Sequence, residues 1–306
     1  MKNILFVIIS FVLLITYNHK ADAISINSDE KIVDGYVVKE YQGISNLELI
    51  KDFDIPQFKG VKRDLLVYLP VGYKESNKRY PVLYMHDAQN LFTIDSANYG
   101  GWQINKTLER LIAEDRTEGV IIVGVYNDGS NRASEYSPWE YWLFYNKIKN
   151  PLGEEYVDFI VNKLKPYIDK NYRTLSDREN TGIAGSSLGG LISFYAGLRY
   201  QNVFSKIGVF SPYFTAEKAK IKEVYNFSKK VGKRENMKIC FYVGGKEFGR
   251  TEYDKNYLEA TKEMYNLLKD IGFDENELRL LVDKKAVHNE RYWAKYFPEI
   301  FLWLYE

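Results

Sequence analysis

Short apolar segments alternate with amphipathic helical patterns along most of this chain, and the alternation restricts its fold more than any other feature. Strands that read as nearly unbroken apolar runs are typical of a parallel sheet covered by helices on both faces. The predicted strands are residues 65–69, 82–85, 120–125, 181–184, 206–210, 238–243 and 278–282. The helical patterns cover residues 104–113, 154–168, 257–271 and 292–304. We therefore predict an α/β fold with a mostly parallel central sheet, to which residues 36–58 add antiparallel edge strands.

The N-terminus has the three parts of a secretory signal peptide. Lys2 provides a positive charge, residues 4–16 form a mostly apolar run interrupted by Ser10, and residues 21–23 form an Ala-Asp-Ala cleavage site. The apolar run is too short to span a bilayer comfortably. We therefore predict a signal peptide at residues 1–23, a single domain at residues 24–306, a secreted or periplasmic location, and no stable membrane insertion after cleavage.

The charge balance argues against a nucleic-acid partner. The chain has 42 Lys and Arg residues against 41 Asp and Glu residues. Proteins that bind nucleic acid usually carry a basic patch and a high isoelectric point. We expect neither here, so the predicted partner is a small molecule or a glycan.

A Gly-x-Ser-x-Gly motif at residues 185–189 is the strongest chemical signal in the sequence. It follows the predicted strand 181–184 and precedes a helical segment, the setting of a nucleophile elbow. Such a turn presents Ser187 at the carboxyl edge of the sheet, while the helix N-terminus adds positive potential for developing negative charge. The alternative is a Gly/Ser turn without chemistry. The flanking strand and helix favour Ser187 as a nucleophile.

An activated serine needs a general base, and the order of residues along the chain selects one. The chain has three histidines, and His19 lies in the predicted signal peptide. His86 precedes the nucleophile, whereas His288 lies in a loop between the last predicted strand and the last helix. The order serine, acid, histidine is met only by His288. We therefore predict that His288 is the base.

The acid of the triad is expected after the next-to-last strand. Glu247 stands there in a Gly-rich turn and would hold the tautomer of the imidazole. Asp254 and Asp283 are alternatives, and a Ser-His dyad is a further one.

Further motifs follow one another from about Asp64 to the C-terminus. They are VYLP at 67–70, RYPVLYMHD at 79–87, QNLF at 89–92, Arg132 with EYSP at 135–138, IAGSSLGG at 183–190 and HNE at 288–290. This series resembles the putative esterase family of the α/β-hydrolase superfamily, with its esterase D-like, enterochelin esterase-like and feruloyl esterase-like members. The resemblance implies an oxyanion hole formed by the backbone N–H of Leu188 and that of Ala88 or Gln89. Ala88 replaces a commoner glycine, and Glu247 stands where relatives often have aspartate.

Polar and aromatic residues near the same sheet edge are candidates for binding substrate. Several follow the strand that ends at Val125, and a salt-bridged loop that braces the rim is the alternative interpretation. Trp139 belongs to an aromatic cluster that either caps the site or packs as a small separate core. The predicted substrate-binding residues are His86, Asp87, Asn127, Arg132, Glu135, Tyr136 and Trp139.

These features together predict a serine carboxylic-ester hydrolase that works through an acyl-enzyme intermediate. We expect no metal and no organic cofactor, because this chemistry needs neither and the sequence offers no Cys/His cluster as ligands. Expected substrates are esters met outside the cytoplasm, including acetylated or feruloylated polysaccharide and siderophore esters. An acyltransferase with the same triad and a non-catalytic carbohydrate-binding protein on a hydrolase scaffold are the alternatives.

Overall fold

Ten strands form one sheet in the computed structural model, which describes residues 30–92, 100–143, 146–214 and 222–306. The sheet strands are β1 (Lys31–Val33), β2 (Tyr36–Glu40), β3 (Leu47–Asp54), β4 (Lys62–Tyr68), β5 (Val82–His86), β6 (Ile121–Val125), β9 (Thr181–Ser186), β10 (Lys206–Phe210), β11 (Lys238–Gly244) and β12 (Leu278–Asp283). Their order in space is β1-β2-β3-β4-β6-β5-β9-β10-β11-β12. A separate hairpin pairs β7 (Tyr141–Leu143) with β8 (Asn146–Ile148).

The helices are α1 (Ile104–Ala113), α2 (Arg132–Glu135), α3 (Gly153–Phe159), α4 (Lys165–Asn171), α5 (Leu188–Arg199), α6 (Lys222–Val231), α7 (Thr251–Asp270) and α8 (Glu290–Tyr305). A π-helical turn, Ile160–Leu164, joins α3 to α4. Short 3-10 turns cover Ala88–Asn90, Gly129–Asn131 and Arg178–Asn180. Within the described ranges, no helix is long and apolar enough to cross a membrane.

Pairing in the sheet confirms the predicted fold class. The strands from β6 to β12 in the spatial order pair in parallel, whereas β1 to β4 are antiparallel, and β4 is antiparallel to β6 as well. The predicted strand 65–69 is thus the one member of the predicted set that runs against its neighbours. Helix α6 and the β7–β8 hairpin were not predicted. The predicted signal peptide lies outside the described residues.

Successive residues of the central strands point into two different cores, because side chains alternate across a sheet. In β5, Val82 and Tyr84 join the core that contains α3, α5 and α7. Leu83 and Met85 join the core that contains α1 and α8. Both faces of the sheet are therefore covered by helices, as the apolar runs predicted.

The strand order creates an opening at the carboxyl edge of the sheet. From β5 the chain passes through α1 to β6 on one side, and later returns to β9 on the other side of β5. Open α/β sheets bind their ligands where the connections diverge in this way. The loop after His86 and the turn at Ser187 both leave the sheet at this edge.

Candidate active site

Ser187 occupies a sharp turn between β9 and α5. Its backbone has φ 59° and ψ −122°, a combination that costs a non-glycine residue on the order of 1–3 kcal/mol. Hydrogen bonds hold this geometry: the Ser187 N–H donates to Phe210 O at 2.9 Å, and the Tyr213 N–H donates to Ser187 O at 3.0 Å. A Cβ at Gly185 would lie 2.7 Å from Gly189 O, so glycine is required there. The local geometry is that of a nucleophile elbow.

His288 is held by Glu247 through two hydrogen bonds. The imidazole Nδ1 lies 2.5 Å from Glu247 Oε2, and the His288 backbone N–H donates to Glu247 O at 3.0 Å. The Glu247 side chain is fully buried, whereas 15% of the His288 side chain is exposed. This arrangement leaves Nε2 as the ring nitrogen available for chemistry.

The two alternative acids have other partners. Asp254 Oδ1 accepts the backbone N–H of Phe248 at 2.7 Å. Asp283 Oδ2 accepts from Tyr296 Oη at 3.0 Å and Lys295 Nζ at 3.1 Å. The carboxylate in contact with His288 is therefore that of Glu247.

Among the described residues, no hydrogen bond joins the Ser187 hydroxyl to the His288 ring. Catalytic hydrogen bonds are often long in unliganded enzymes and tighten when substrate binds. The Ser-His pair of the triad therefore stays a prediction.

The candidate oxyanion donors lie on two adjoining turns. Leu188 opens α5, so its N–H has no partner within the helix, and Ala88 and Gln89 begin the 3-10 turn after β5. The first turn of α5 rests on this loop, since a Cβ at Gly189 would lie 3.3 Å from Asp87 Oδ2. The positive φ of the loop, 59°, falls on Asp87 rather than on Ala88. An alanine in place of the commoner glycine is thus compatible with the turn.

The buried Asp87 and the partly buried Asn127 and Arg132 form a polar brace beside this loop. Asp87 Oδ1 accepts from Arg132 Nε and Asn127 Nδ2, each at 2.6 Å, and Arg132 also reaches Asp87 Oδ2 at 2.8 Å. Burial acts to raise the pKa of Asp87, but the charge and hydrogen bonds of Arg132 outweigh it, so the pKa is lowered. The backbone N–H of Asn127 also donates to Gln89 Oε1 of the loop at 3.3 Å.

Tyr136 contacts two residues of the same brace, Arg132 and Asp87. Its ring lies 5.0 Å from the Arg132 guanidinium, and its hydroxyl accepts the Asp87 N–H at 3.3 Å. The ring is fully buried. These contacts match the interpretation of the rim as a salt-bridged support for the loop.

Three other predicted substrate-binding residues also make internal contacts. His86 Nδ1 lies 2.9 Å from Tyr156 Oη, and burial lowers the pKa of His86 to about 4, so its ring is neutral. Burial raises the pKa of Glu135 to about 7, although Arg63 donates to its Oε1 at 2.5 Å. Trp139 packs on the rings of Tyr195 and Phe227, with centroids 5.9 and 5.7 Å away. A contact of any of them with substrate stays a prediction.

Sequence reasoning missed the residues that enclose the base. Phe248 stacks on the imidazole with centroids 4.8 Å apart, and Trp293 meets it edge-on at 5.0 Å. Ser211 donates a hydrogen bond to Glu247. They come from three separate segments with no shared motif, and only the fold brings them together.

Loss of the Arg132 side chain should destabilise the fold by an amount that depends on pH. Arg132→Met leaves a buried carboxylate without its cation, and we expect the free energy of unfolding to fall by about 3 kcal/mol at neutral pH. The folded-state pKa of Asp87 is lowered, so the pair stabilises the fold above the unfolded pKa of about 3.9. That stabilisation is lost as pH falls through the folded-state pKa. Urea denaturation at about pH 7 and about pH 3 measures both effects.

The matched control is Arg110→Met, which breaks the exposed pair between Arg110 and Glu114 on α1. Exposed pairs of this kind contribute about 0.5 kcal/mol or less. Equal losses in the two variants, or an Arg132→Met deficit that does not shrink in acid, would contradict the account of the brace.

No cluster of three His, Cys, Asp or Glu side chains with the geometry of a metal site occurs among the described residues. The expectation of a reaction without metal or organic cofactor stays a prediction.

Comparison with known proteins decides the family. Residues 58–304 match the model of the family described as Putative esterase. The chain belongs to the putative esterase family. Membership confirms the predicted resemblance, and it identifies the chain as a carboxylic ester hydrolase.

Individual proteins of known sequence or structure resemble the chain over most of its length. The Bacillus subtilis (strain 168) protein YbbA, described as uncharacterized, is 30% identical over 255 residues, which cover 82% of this chain and 96% of YbbA. A ferulic acid esterase from Anaeromyces mucronatus, solved with ferulic acid, has a TM-score of 0.59 at 20% identity and covers 91% of this chain and 97% of that one. The siderophore hydrolase EstB from Aspergillus nidulans has a TM-score of 0.66 at 15% identity, with coverages of 86% and 96%. At such identities the structural likeness shows the α/β-hydrolase fold alone.

Proposed function

We propose that this esterase is a serine hydrolase with a Ser187-His288-Glu247 triad and an acyl-enzyme intermediate. The observation that carries the proposal is the 2.5 Å contact between His288 Nδ1 and the buried Glu247 Oε2. A carboxylate in this position holds one imidazole tautomer and stabilises the imidazolium that forms during acyl transfer. The elbow geometry of Ser187, φ 59° at the N-terminus of α5, supports its assignment as the nucleophile.

In the proposed reaction, Ser187 Oγ attacks the ester carbonyl carbon while His288 Nε2 takes its proton. The backbone N–H of Leu188 and that of Ala88 or Gln89 stabilise the tetrahedral oxyanion. Collapse releases the alcohol, which receives the proton from His288. A water molecule, deprotonated by the same nitrogen, then attacks the acyl-enzyme, and Ser187 regains its proton as the acid leaves.

The proposed substrates are esters of the exported compartment: acetylated or feruloylated carbohydrate, or siderophore esters. The predicted signal peptide at residues 1–23 supports export of the domain formed by residues 24–306. The aromatic residues around the base also support a substrate with an aromatic acyl or alcohol group, since Phe248 stacks on His288 within the site.

Hydrolysis of p-nitrophenyl esters from acetate to octanoate, together with methyl ferulate, tests the proposal. We expect turnover of the short esters, burst kinetics from the acyl-enzyme, and covalent labelling of Ser187 by a fluorophosphonate. Addition of a sugar whose hydroxyl groups can accept the acyl group distinguishes hydrolysis from acyl transfer, because a transferase would form the sugar ester. Turnover without labelling of Ser187 would contradict the mechanism, and glycan binding without labelling or turnover would point to a non-catalytic carbohydrate-binding protein.

A further inference from the structure

A series of buried hydrogen bonds runs from α8 to Glu247 Oε1, the carboxylate oxygen that does not contact His288. The indole Nε1–H of Trp293 donates to Ser211 Oγ at 3.0 Å, and Ser211 Oγ donates to Glu247 Oε1 at 2.7 Å. Trp293, Ser211 and Glu247 are 5%, 0% and 3% exposed. Water therefore has little access to any bond in the series.

The direction of these bonds follows from the chemistry of the groups. An indole N–H can only donate, so Ser211 Oγ must accept from Trp293 and can offer its single proton only to Glu247. The backbone N–H of Gly244 donates to the same oxygen, Oε1, at 2.5 Å. With two donors on Oε1, the carboxylate presents Oε2 to His288 Nδ1, which must then carry the proton. The unprotonated Nε2 is the form that a general base requires.

The backbone at Ser211 is itself held in an uncommon conformation. Its φ of 40° lies in the left-handed region, which a non-glycine residue keeps only where its surroundings impose it. Ser211 N–H donates to Tyr242 O, and Tyr257 Oη donates to Ser211 O, both at 2.6 Å. These bonds fix the residue at the end of β10, with its hydroxyl on the acid.

We propose that Ser211 and Trp293 are positioning residues for ester hydrolysis, acting through Glu247 on the tautomer and orientation of His288. The inference rests on the triad proposed above. It also explains how this chain uses glutamate as its acid, because glutamate has one more rotatable bond than aspartate. The donors from Ser211 and Gly244 remove that extra freedom before substrate binds.

Kinetics of Ser211→Ala, Trp293→Phe and the double variant with p-nitrophenyl acetate test the proposal. Each single change should lower kcat by about 10- to 100-fold, the cost that loss of an outer hydrogen-bond partner has for a metal-bound histidine, and leave KM within about twofold. Trp293→Phe keeps an aromatic ring on α8 and removes the indole N–H donor. Since Trp293 acts through Ser211, the double variant should be no slower than Ser211→Ala.

A second readout separates positioning from general loss of packing. We expect the proton on His288 Nδ1 to give a low-field NMR resonance, which should shift or broaden in both single variants. Ser228→Ala is the matched control, because it removes an equally buried hydroxyl that bonds to Val224 O within α6. This control should keep the wild-type kcat and resonance. Trp293→Phe carries the test alone if Ser211→Ala does not fold.

Wild-type kcat with an unmoved resonance in both variants would overturn the inference, and so would losses that multiply in the double variant. Failure of the triad itself has a different signature. If Glu247 is not the acid of the triad, Glu247→Gln should retain the wild-type kcat. If the triad is correct but Ser211 does not position it, Glu247→Gln should be inactive and Ser211→Ala fully active.

Discussion

Ser187→Ala is expected to lower kcat for p-nitrophenyl acetate by on the order of 10⁴-fold or more. The variant lacks the oxygen that forms the acyl-enzyme, and only the oxyanion donors and substrate binding remain to assist direct attack by water. Alanine keeps the same Cβ at φ 59°, so the backbone of the elbow and the melting temperature should change little. Steady-state kinetics with the purified variant, together with its thermal melting curve, measure both expectations.

Ser186→Ala is the control for this experiment. Ser186 is the last residue of β9 and its side chain is one position out of register with the elbow. We expect this variant to stay within about tenfold of wild type in kcat. Comparable activity in Ser187→Ala would rule out the serine mechanism, and a loss confined to Ser186→Ala would place the nucleophile one residue earlier.

Glu247→Gln should reduce kcat by about 10³- to 10⁴-fold, because glutamine would stabilise the tautomer of His288 that cannot act as a base. Ser211 Oγ and the Gly244 N–H both donate to the Oε1 position, so the amide oxygen of glutamine would be held there. The amide NH₂ would then face His288 Nδ1 and force that nitrogen to accept. The proton would move to Nε2, which could no longer take one from Ser187. Kinetics and the loss of the Nδ1 proton resonance measure the effect.

Asp254→Asn and Asp283→Asn are the matched controls, because they neutralise the two neighbouring carboxylates. Asparagine at position 254 can still accept the Phe248 N–H through its amide oxygen. Asp283 pairs instead with the exposed Lys295 of α8. Both variants should keep kcat within a few-fold of wild type. An active Glu247→Gln with an inactive Asp254→Asn would reassign the acid.

The fold was predictable because its strands are buried on both faces. Residues 206–210 were predicted as a strand and form β10 with the same bounds, since an unbroken apolar run leaves little choice of structure. The direction of β4 was not visible in its sequence. An antiparallel strand that is buried on both sides reads like a parallel one, and its orientation depends on the length and path of the connections.

Some residues of the site could be predicted from their local sequence, and others could not because their partners are distant in sequence. Ser187 lies in a motif whose five residues fold as one turn, and the position of His288 after the last strand follows from chain order. Arg132 and Ser211 have no such local signature. Arg132 pairs with Asp87 across 45 positions, and Ser211 bonds to Trp293 across 82, so their partners emerge only when the sheet assembles.

Helix α8 forms hydrogen bonds at both ends of the sheet: with the first residue of β5 and with the residue that follows β10. Trp293 near the beginning of α8 bonds to Ser211, while Tyr305 near its end donates to Val82 O at 2.9 Å. His288 lies immediately before this helix. Because Ser187 precedes His288 and Trp293 in the sequence, a growing chain carries the elbow before it carries the base and its support. On the proposed mechanism, a chain truncated before residue 288 would therefore lack its general base and be inactive.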